Sequence, residues 1–357
     1  MQHEYNVEFA LLPNEILIKI ALLVTNMATC EIFDPYPKTD RRDFFDNDDV
    51  INEVEKLIEG KLWPLIIGPK RTGKTSILKI VSKEINGIYI DASGIRSLKE
   101  LGSLMVNSTQ LKVEIDLRVV RVEIEKKPVN GIQSLLNRLG DAVILIDEAQ
   151  NIVTPWFISL LSNSYNNSQV RFAFSGSMIG LSKTLTGEGR GKKVGNSFKG
   201  RPIVEIEVKP FNAELSKEFL RTGSRLCGFD VSESEIEDAV RTYRGIQGWL
   251  TYYGNFRRLG YSHERAKELV LNIAKNLIKE ELKQLSETQR LIIRALALVE
   301  EIGWKDLKRL TESFGGKEIR DAVFNNALKH LVDAKIARKE NAKYSLIDPI
   351  YKILAPP

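Results

Sequence analysis

Cysteine and histidine are scarce in this chain. Its 357 residues include two cysteines, Cys30 and Cys227, and three histidines, His3, His263 and His330, none close to another. Without a CxxC pair or a Cys/His set at zinc spacing, no metal site of that kind is expected, and the cysteines read as two reduced thiols. Long apolar runs are missing too. The longest, Ile16 to Thr25, is interrupted by Lys19 and falls short of the roughly 20 residues that cross a bilayer. The opening MQHEYNVEFA lacks the basic start of a secretory signal. These absences predict a cytoplasmic location and no membrane partner. No large excess of one charge exists either: 52 bases against 47 acids leave +5. The bases are unevenly spread. Residues 183–201 carry six bases and one acid, and residues 283–357 carry 14 bases and 10 acids, so the remainder sums to −4.

What is present is an ordinary globular composition, 43% apolar and 28% charged, in a chain long enough for two or three domains. Residues 1–40 read as an appended extension, either a loosely docked helix or the product of an upstream start with Met27 as initiator. Residues 41–210 follow an α/β pattern. A helix is expected over Asp49 to Ile58, with Val50, Val54, Leu57 and Ile58 on one face. Apolar strands are expected at Leu62 to Ile67, Ile88 to Asp91, Ala142 to Ile146, Val170 to Phe174 and Ile203 to Val208. Helices should fall at Thr75 to Ile85 and near Ile132 to Leu139. The alternating stretch Val113 to Ile124 predicts a two-stranded ribbon. Strands without alternation, separated by helices, indicate a parallel sheet covered on both faces.

Within that frame GPKRTGKT, Gly68 to Thr75, matches GxxxxGK[ST] between an apolar strand and a helix. Glycines let backbone amides turn inward around phosphate oxygens, and the following helix adds its positive end. Gly68, Pro69, Lys70, Arg71, Thr72, Gly73, Lys74, Thr75 and Ser76 are the expected nucleotide-binding residues. Lys74 is expected on the β and γ phosphates, and Thr75 on Mg2+ through its hydroxyl. VILIDEAQ, Val143 to Gln150, places two acids where an open α/β sheet presents its ligand crevice. Asp147 is expected to hold Mg2+ with Thr75, and Glu148 to act as general base for water attack on the γ-phosphate. The strand FAFSGS ends in small hydroxyl residues, so Ser175 or Ser177 reads either as a γ-phosphate contact or as a turn residue. In the basic loop that follows, Arg201 is the candidate cation for transition-state charge, acting in its own subunit or in a neighbouring copy. No guanine-reading NKxD stands where it would be needed, which favours ATP over GTP.

These segments, together with DFF at 43–45, GRP at 200–202, VKPFNAELSKEFL at 208–220 and GWLTYYG at 248–254, resemble the archaeal ATPase family, in the AAA+-related STAND division of P-loop NTPases. The resemblance runs from about Asp40 to the C-terminus. It implies an ASCE-type parallel sheet over 41–210, a helical lid over 211–281 and a winged helix over 282–357. Two segments depart from the family pattern: Asn47 and Asp48 stand where an Arg-Glu pair is usual, and Arg244 to Gln247 replace a GGxP turn. Both border the nucleotide in relatives.

Lid helices are expected at 212–226, 233–242 and 262–281. Three helices, Ser286 to Glu300, Trp304 to Phe314 and Lys317 to Ala334, precede a hairpin at 336–346. That order is itself the layout of a winged helix. Ile319, Val323, Leu328, Leu331 and Val332 would face its core, and Lys317, Arg320, Asn325 and Lys329 would face out. With Arg338, Lys339 and Lys343 this surface could contact DNA phosphates, although Asp321, Asp333 and Glu340 dilute the charge and a protein or lid contact fits as well. The expected activity is Mg2+-dependent ATP hydrolysis driving a switch or motor on a macromolecular partner. The alternatives are a DNA-binding ATPase resembling archaeal replication initiators and a small-molecule kinase.

Overall fold

A computed structural model of the chain describes residues 30–112, 116–176 and 203–354. Helix α1 (Asp48–Glu59) precedes strand β1 (Trp63–Ile67), helix α2 (Lys74–Glu84) and strand β2 (Ile88–Asp91). Helices α3 (Leu98–Gln110), α4 (Arg118–Lys126) and α5 (Pro128–Arg138) lead to β3 (Val143–Asp147). Then come α6 (Pro155–Asn167), β4 (Arg171–Gly176) and β5 (Ile203–Glu207). The strands form one sheet in the order β2-β3-β4-β1-β5, all pairs parallel. Strand β4 thus lies between the strands that end in the two motifs.

Burial explains why these segments are strands. Every residue of β1 and β3 is buried, so an unbroken apolar run satisfies both faces at once. Leu65 and Phe172 face the core under α3 to α6, whereas Ile66, Leu145 and Ala173 face α1 and α2. Pro64 is tolerated in a central strand because the pairing of β1 with β4 begins after it, at Leu65.

The ribbon expected over Val113 to Ile124 is not formed. Residues 113–115 lie outside the described residues, and from Arg118 the chain is helix α4. Val120 and Ile124, four apart, are buried, while Val119 and Val122 are exposed. A stretch rich in β-branched residues reads as alternating until its burial is known; here the helical period takes it.

Beyond β5 come α7 (Ala213–Cys227), α8 (Glu233–Tyr243), α9 (Gln247–Arg258), α10 (His263–Lys283) and α11 (Glu287–Ala297). They are followed by β6 (Ile302–Gly303), α12 (Trp304–Gly315), α13 (Asp321–Asp333), β7 (Ala337–Glu340) and β8 (Lys343–Leu346). Strands β6, β8 and β7 form a small antiparallel sheet. One continuous apolar core runs from Phe33 through helices α7 to α10 to Tyr351. On α13 the inward residue is Phe324, fully buried, rather than Val323, which is 40% exposed. Phe324 stands four residues from Leu328, one full turn away, and that spacing selects it.

Two expectations about the N-terminal region are corrected. Residues 30–40 are not a loose appendage: Phe33 is fully buried in contact with Phe219, its ring filling the space beside Gly223 and Gly254. A Cβ on Gly223 would sit 2.1 Å from the Phe33 ring, so this strap docks only where α7 carries glycine. The cysteines are not free thiols, since Cys30 and Cys227 are joined by a disulfide with Cα atoms 5.1 Å apart. The bond spans a sequence separation of 197, and in the chain-entropy picture closing so long a loop constrains the unfolded chain by about 5 kcal/mol.

Candidate functional site

The phosphate loop sits where β1 meets α2. Gly73, at φ +87°, has Phe44 against it, and a Cβ there would come 2.8 Å from the ring, so both backbone and contact require glycine. Thr72 is fully buried and donates to the Pro69 carbonyl at 2.9 Å, closing the turn. Lys74, 6% exposed, donates from Nζ to the carbonyls of Pro69 at 2.6 Å and Gly68 at 3.1 Å. Burial pushes its ammonium down to about 8, against the opposing pull of Glu148 and Asp147. Thr75 and Ser76 follow in the first turn of α2. The Ser76 hydroxyl accepts the Lys38 amide at 3.1 Å, so the strap is bonded directly to the loop.

Asp147 ends β3 and is 3% exposed. Its Oδ1 accepts the Ser175 hydroxyl and the Glu148 amide, the latter at 3.0 Å, and its Oδ2 accepts the Tyr89 hydroxyl at 3.0 Å. Glu148 adopts a left-handed backbone, φ 50° and ψ 40°, a conformation that non-glycine residues hold mainly where the surroundings fix it. It lines the cleft together with Lys74 and Thr75.

That cleft encloses about 500 Å³. Its walls are the loop, the aromatic pair Phe44 and Phe45, strap residues around Lys38, and Gln247 and Tyr252 of α9. Lys38 is 9% exposed, donates to the carbonyls of Glu31 and Asp34, and has its ammonium pushed down by burial.

Several side chains around the loop make contacts that the motif alone does not specify. Arg71 does not direct its side chain to the phosphate position. Its guanidinium lies 2.5 Å from Glu281 Oε1, 3.8 Å from Asp348 Oδ2 and 4.4 Å over the Trp249 ring. Lys70 lies 3.5 Å from Glu281. The Ser175 hydroxyl donates to Asp147. Ser177, Lys199, Arg201 and the rest of the basic loop lie outside the described residues. Among the divergent positions, Asn47 and Asp48 open α1. Gln247 lines the cleft and donates to the Lys209 carbonyl at 3.0 Å, and Arg244 pairs with Glu300 at 2.7 Å.

Sequence reasoning missed Tyr89, Lys38 and Glu281. Tyr89 was within reach of a register argument, since it sits two residues before the end of the strand beside β3. The other two depend on contacts 38 and 210 residues away in sequence.

A glycine-rich loop with a buried lysine, facing an Asp-Glu pair across one crevice, is built for a nucleoside triphosphate. Residues 44–253 match an ATPase domain family found predominantly in Archaea. The chain belongs to that family. Among solved structures, a Walker-type ATPase of Pyrococcus abyssi is 28% identical, with 91% of this chain and 99% of that one covered and a TM-score of 0.77. A STAND protein with a tetratricopeptide repeat sensor from Pyrococcus horikoshii is 14% identical over 87% of this chain and 42% of that one, TM-score 0.38. The RuvB Holliday junction branch migration motor of Thermotoga maritima is 14% identical over 89% and 97%, TM-score 0.45. A search of curated proteins found no match. This member of the archaeal ATPase family is therefore a P-loop ATPase, and no described helix is long and apolar enough to cross a membrane.

Proposed function

We propose that this ATPase is a Mg2+-dependent switch, in which the state of the triphosphate is passed from the phosphate loop to the lid and the C-terminal region. The backbone amides of Lys70 to Ser76 would cradle the phosphates, and Lys74 would exchange its two loop carbonyls for β and γ oxygens. Thr75 and Asp147 would hold Mg2+. The donor set fits that ion: a hydroxyl and a carboxylate are hard oxygen ligands, and three donors on Asp147 leave about one of its roughly four acceptor positions free. When bound, Mg2+ neutralises charge on the β and γ oxygens. Glu148 would take a proton from water as the water oxygen attacks the γ-phosphorus and the bond to the ADP oxygen breaks, giving ADP and inorganic phosphate.

Arg71 is the observation that carries the switch reading. It belongs to the loop, yet its side chain is held by α10, α9 and the segment after β8. Glu281 accepts from Arg71 at 2.5 Å and from the Tyr351 hydroxyl at 2.6 Å, and Asp348 accepts from Trp249 Nε1 at 2.8 Å. Burial raises the Glu281 carboxyl, but Arg71 and Lys70 outweigh it and hold the group below its usual range. Any shift of the loop on losing the γ-phosphate would move a charge that three elements share.

The C-terminal elements α11 to β8 fit a winged helix. Of its candidate DNA contacts, Arg338 lies 3.6 Å from Glu340 and Lys343 lies 3.7 Å from Glu301. This neutralisation favours a protein partner, or the lid itself, over duplex DNA. The test is steady-state ATP turnover with Mg2+, with EDTA, and with duplex DNA at low and high salt. Turnover that needs Mg2+ and ignores DNA is expected. Turnover stimulated severalfold by DNA at low salt, with the effect lost at high salt, would instead support the DNA-binding ATPase.

A further inference from the structure

We infer that Tyr89 is a positioning residue for the hydrolytic site: with Ser175 it fixes the Asp147 carboxylate in the orientation that meets the metal. The inference rests on the reading of Asp147 as a Mg2+ residue.

The sheet itself brings the three side chains together. Side chains alternate across a strand, so Val143, Leu145 and Asp147 on β3 share one face, as do Ala173 and Ser175 on β4. Leu145, Ala173 and Tyr89 all belong to the core on the α2 side of the sheet. Strand β2 pairs with β3 so that Tyr89 lies opposite Leu145 and Asp91 opposite Asp147. A tyrosine is long enough to reach along the sheet from that position to the neighbouring strand's terminal acid, and its hydroxyl ends 3.0 Å from Asp147 Oδ2. Ser175 holds the other oxygen from the opposite side.

The ring is braced as well. Lys79 of α2 places its ammonium 5.4 Å from the Tyr89 ring centroid, linking the phosphate-loop helix to the same tyrosine. A carboxylate clamped on both oxygens cannot rotate its remaining lone pair away from the ion. Partners of this kind, which orient a ligand without touching the metal, change metal affinity or activity by about 10- to 100-fold when removed.

The experiment is Mn2+ titration followed by electron paramagnetic resonance, in the presence of a non-hydrolysable ATP analogue, on the full chain. Wild type is compared with Tyr89→Phe, Ser175→Ala and Asp147→Asn, and analogue binding is measured in parallel without metal. Tyr89→Phe keeps the ring and its contact with Lys79. It is expected to weaken Mn2+ about tenfold, leave metal-free analogue binding unchanged, and add nothing on top of Asp147→Asn. A wild-type Mn2+ curve for Tyr89→Phe beside a weakened one for Asp147→Asn would overturn the positioning role of Tyr89 alone. A wild-type curve for Asp147→Asn would remove the metal reading of Asp147, and the inference with it. Should Tyr89→Phe be unstable, a wild-type curve for Ser175→Ala would overturn the two-sided clamp.

Discussion

Lys74→Ala is expected to remove ATP binding, and Glu148→Gln to keep ATP bound while losing its hydrolysis. The two residues face one cleft and do different work. Lys74 is 6% exposed and supplies a positive charge already poised between two loop carbonyls. Truncating one partner of a buried, hydrogen-bonded charge pair costs about 2–5 kcal/mol, on the order of 30- to 4,000-fold in Kd. Glu148 makes no contact with the loop carbonyls, and its glutamine variant keeps shape and removes only basicity. The rate should fall by about 10²–10⁴, the span of a general base, with Kd within a few fold of wild type. Calorimetric binding and single-turnover hydrolysis on both variants check the pair. Equal turnover in wild type and Glu148→Gln would take the base role away from Glu148.

Arg71→Met should destabilise the protein by about 3–5 kcal/mol, because it leaves buried Asp348 without a cation and Glu281 with only the more exposed Lys70. Glu281 and Asp348 have side chains only 13% and 8% exposed. Burial already raises Asp348 with Arg71 present. Methionine keeps the aliphatic stem against Trp249, so the loss reports the charge rather than the packing. Arg71→Lys keeps the charge but cannot reach Glu281 and Asp348 with one fork, and an intermediate loss is expected. Denaturant midpoints of the two variants decide this. A midpoint for Arg71→Met equal to wild type would mean that the cluster carries no net stability.

Motif chemistry was legible because it is local. The loop Gly68 to Thr75 and the pair Asp147 and Glu148 each depend on a strand end and a few neighbouring residues, and the central strands β1 and β3 announced themselves by apolar runs buried on both faces. What escaped was set by partners far along the chain. Phe33 finds its place between Gly223 and Gly254, and Cys30 finds Cys227; neither spacing signals the other. Helix α4 hid because Val119, Val120, Val122 and Ile124 satisfy two periods, and only burial chooses between them. Helix α9 was overlooked because GWLTYYGNF offers few strong helix formers; Trp249 and Tyr253, one turn apart and fully buried, hold it in tertiary packing. Arg71 fits the loop motif at an unrestricted position, and nothing local says that its side chain turns toward Glu281.

The most direct test of the switch is hydrogen exchange on Glu148→Gln protein, with ATP and Mg2+ in one sample and ADP in the other. Exchange reads local opening segment by segment. With ATP, amides in residues 277–283 and 346–352 should exchange at a different rate from those in the ADP sample, and Arg71→Met in the same background should erase that difference while the loop at 68–76 stays protected by both nucleotides. Identical exchange at 277–283 and 346–352 in ATP and ADP, with the loop protected in both, would contradict the account.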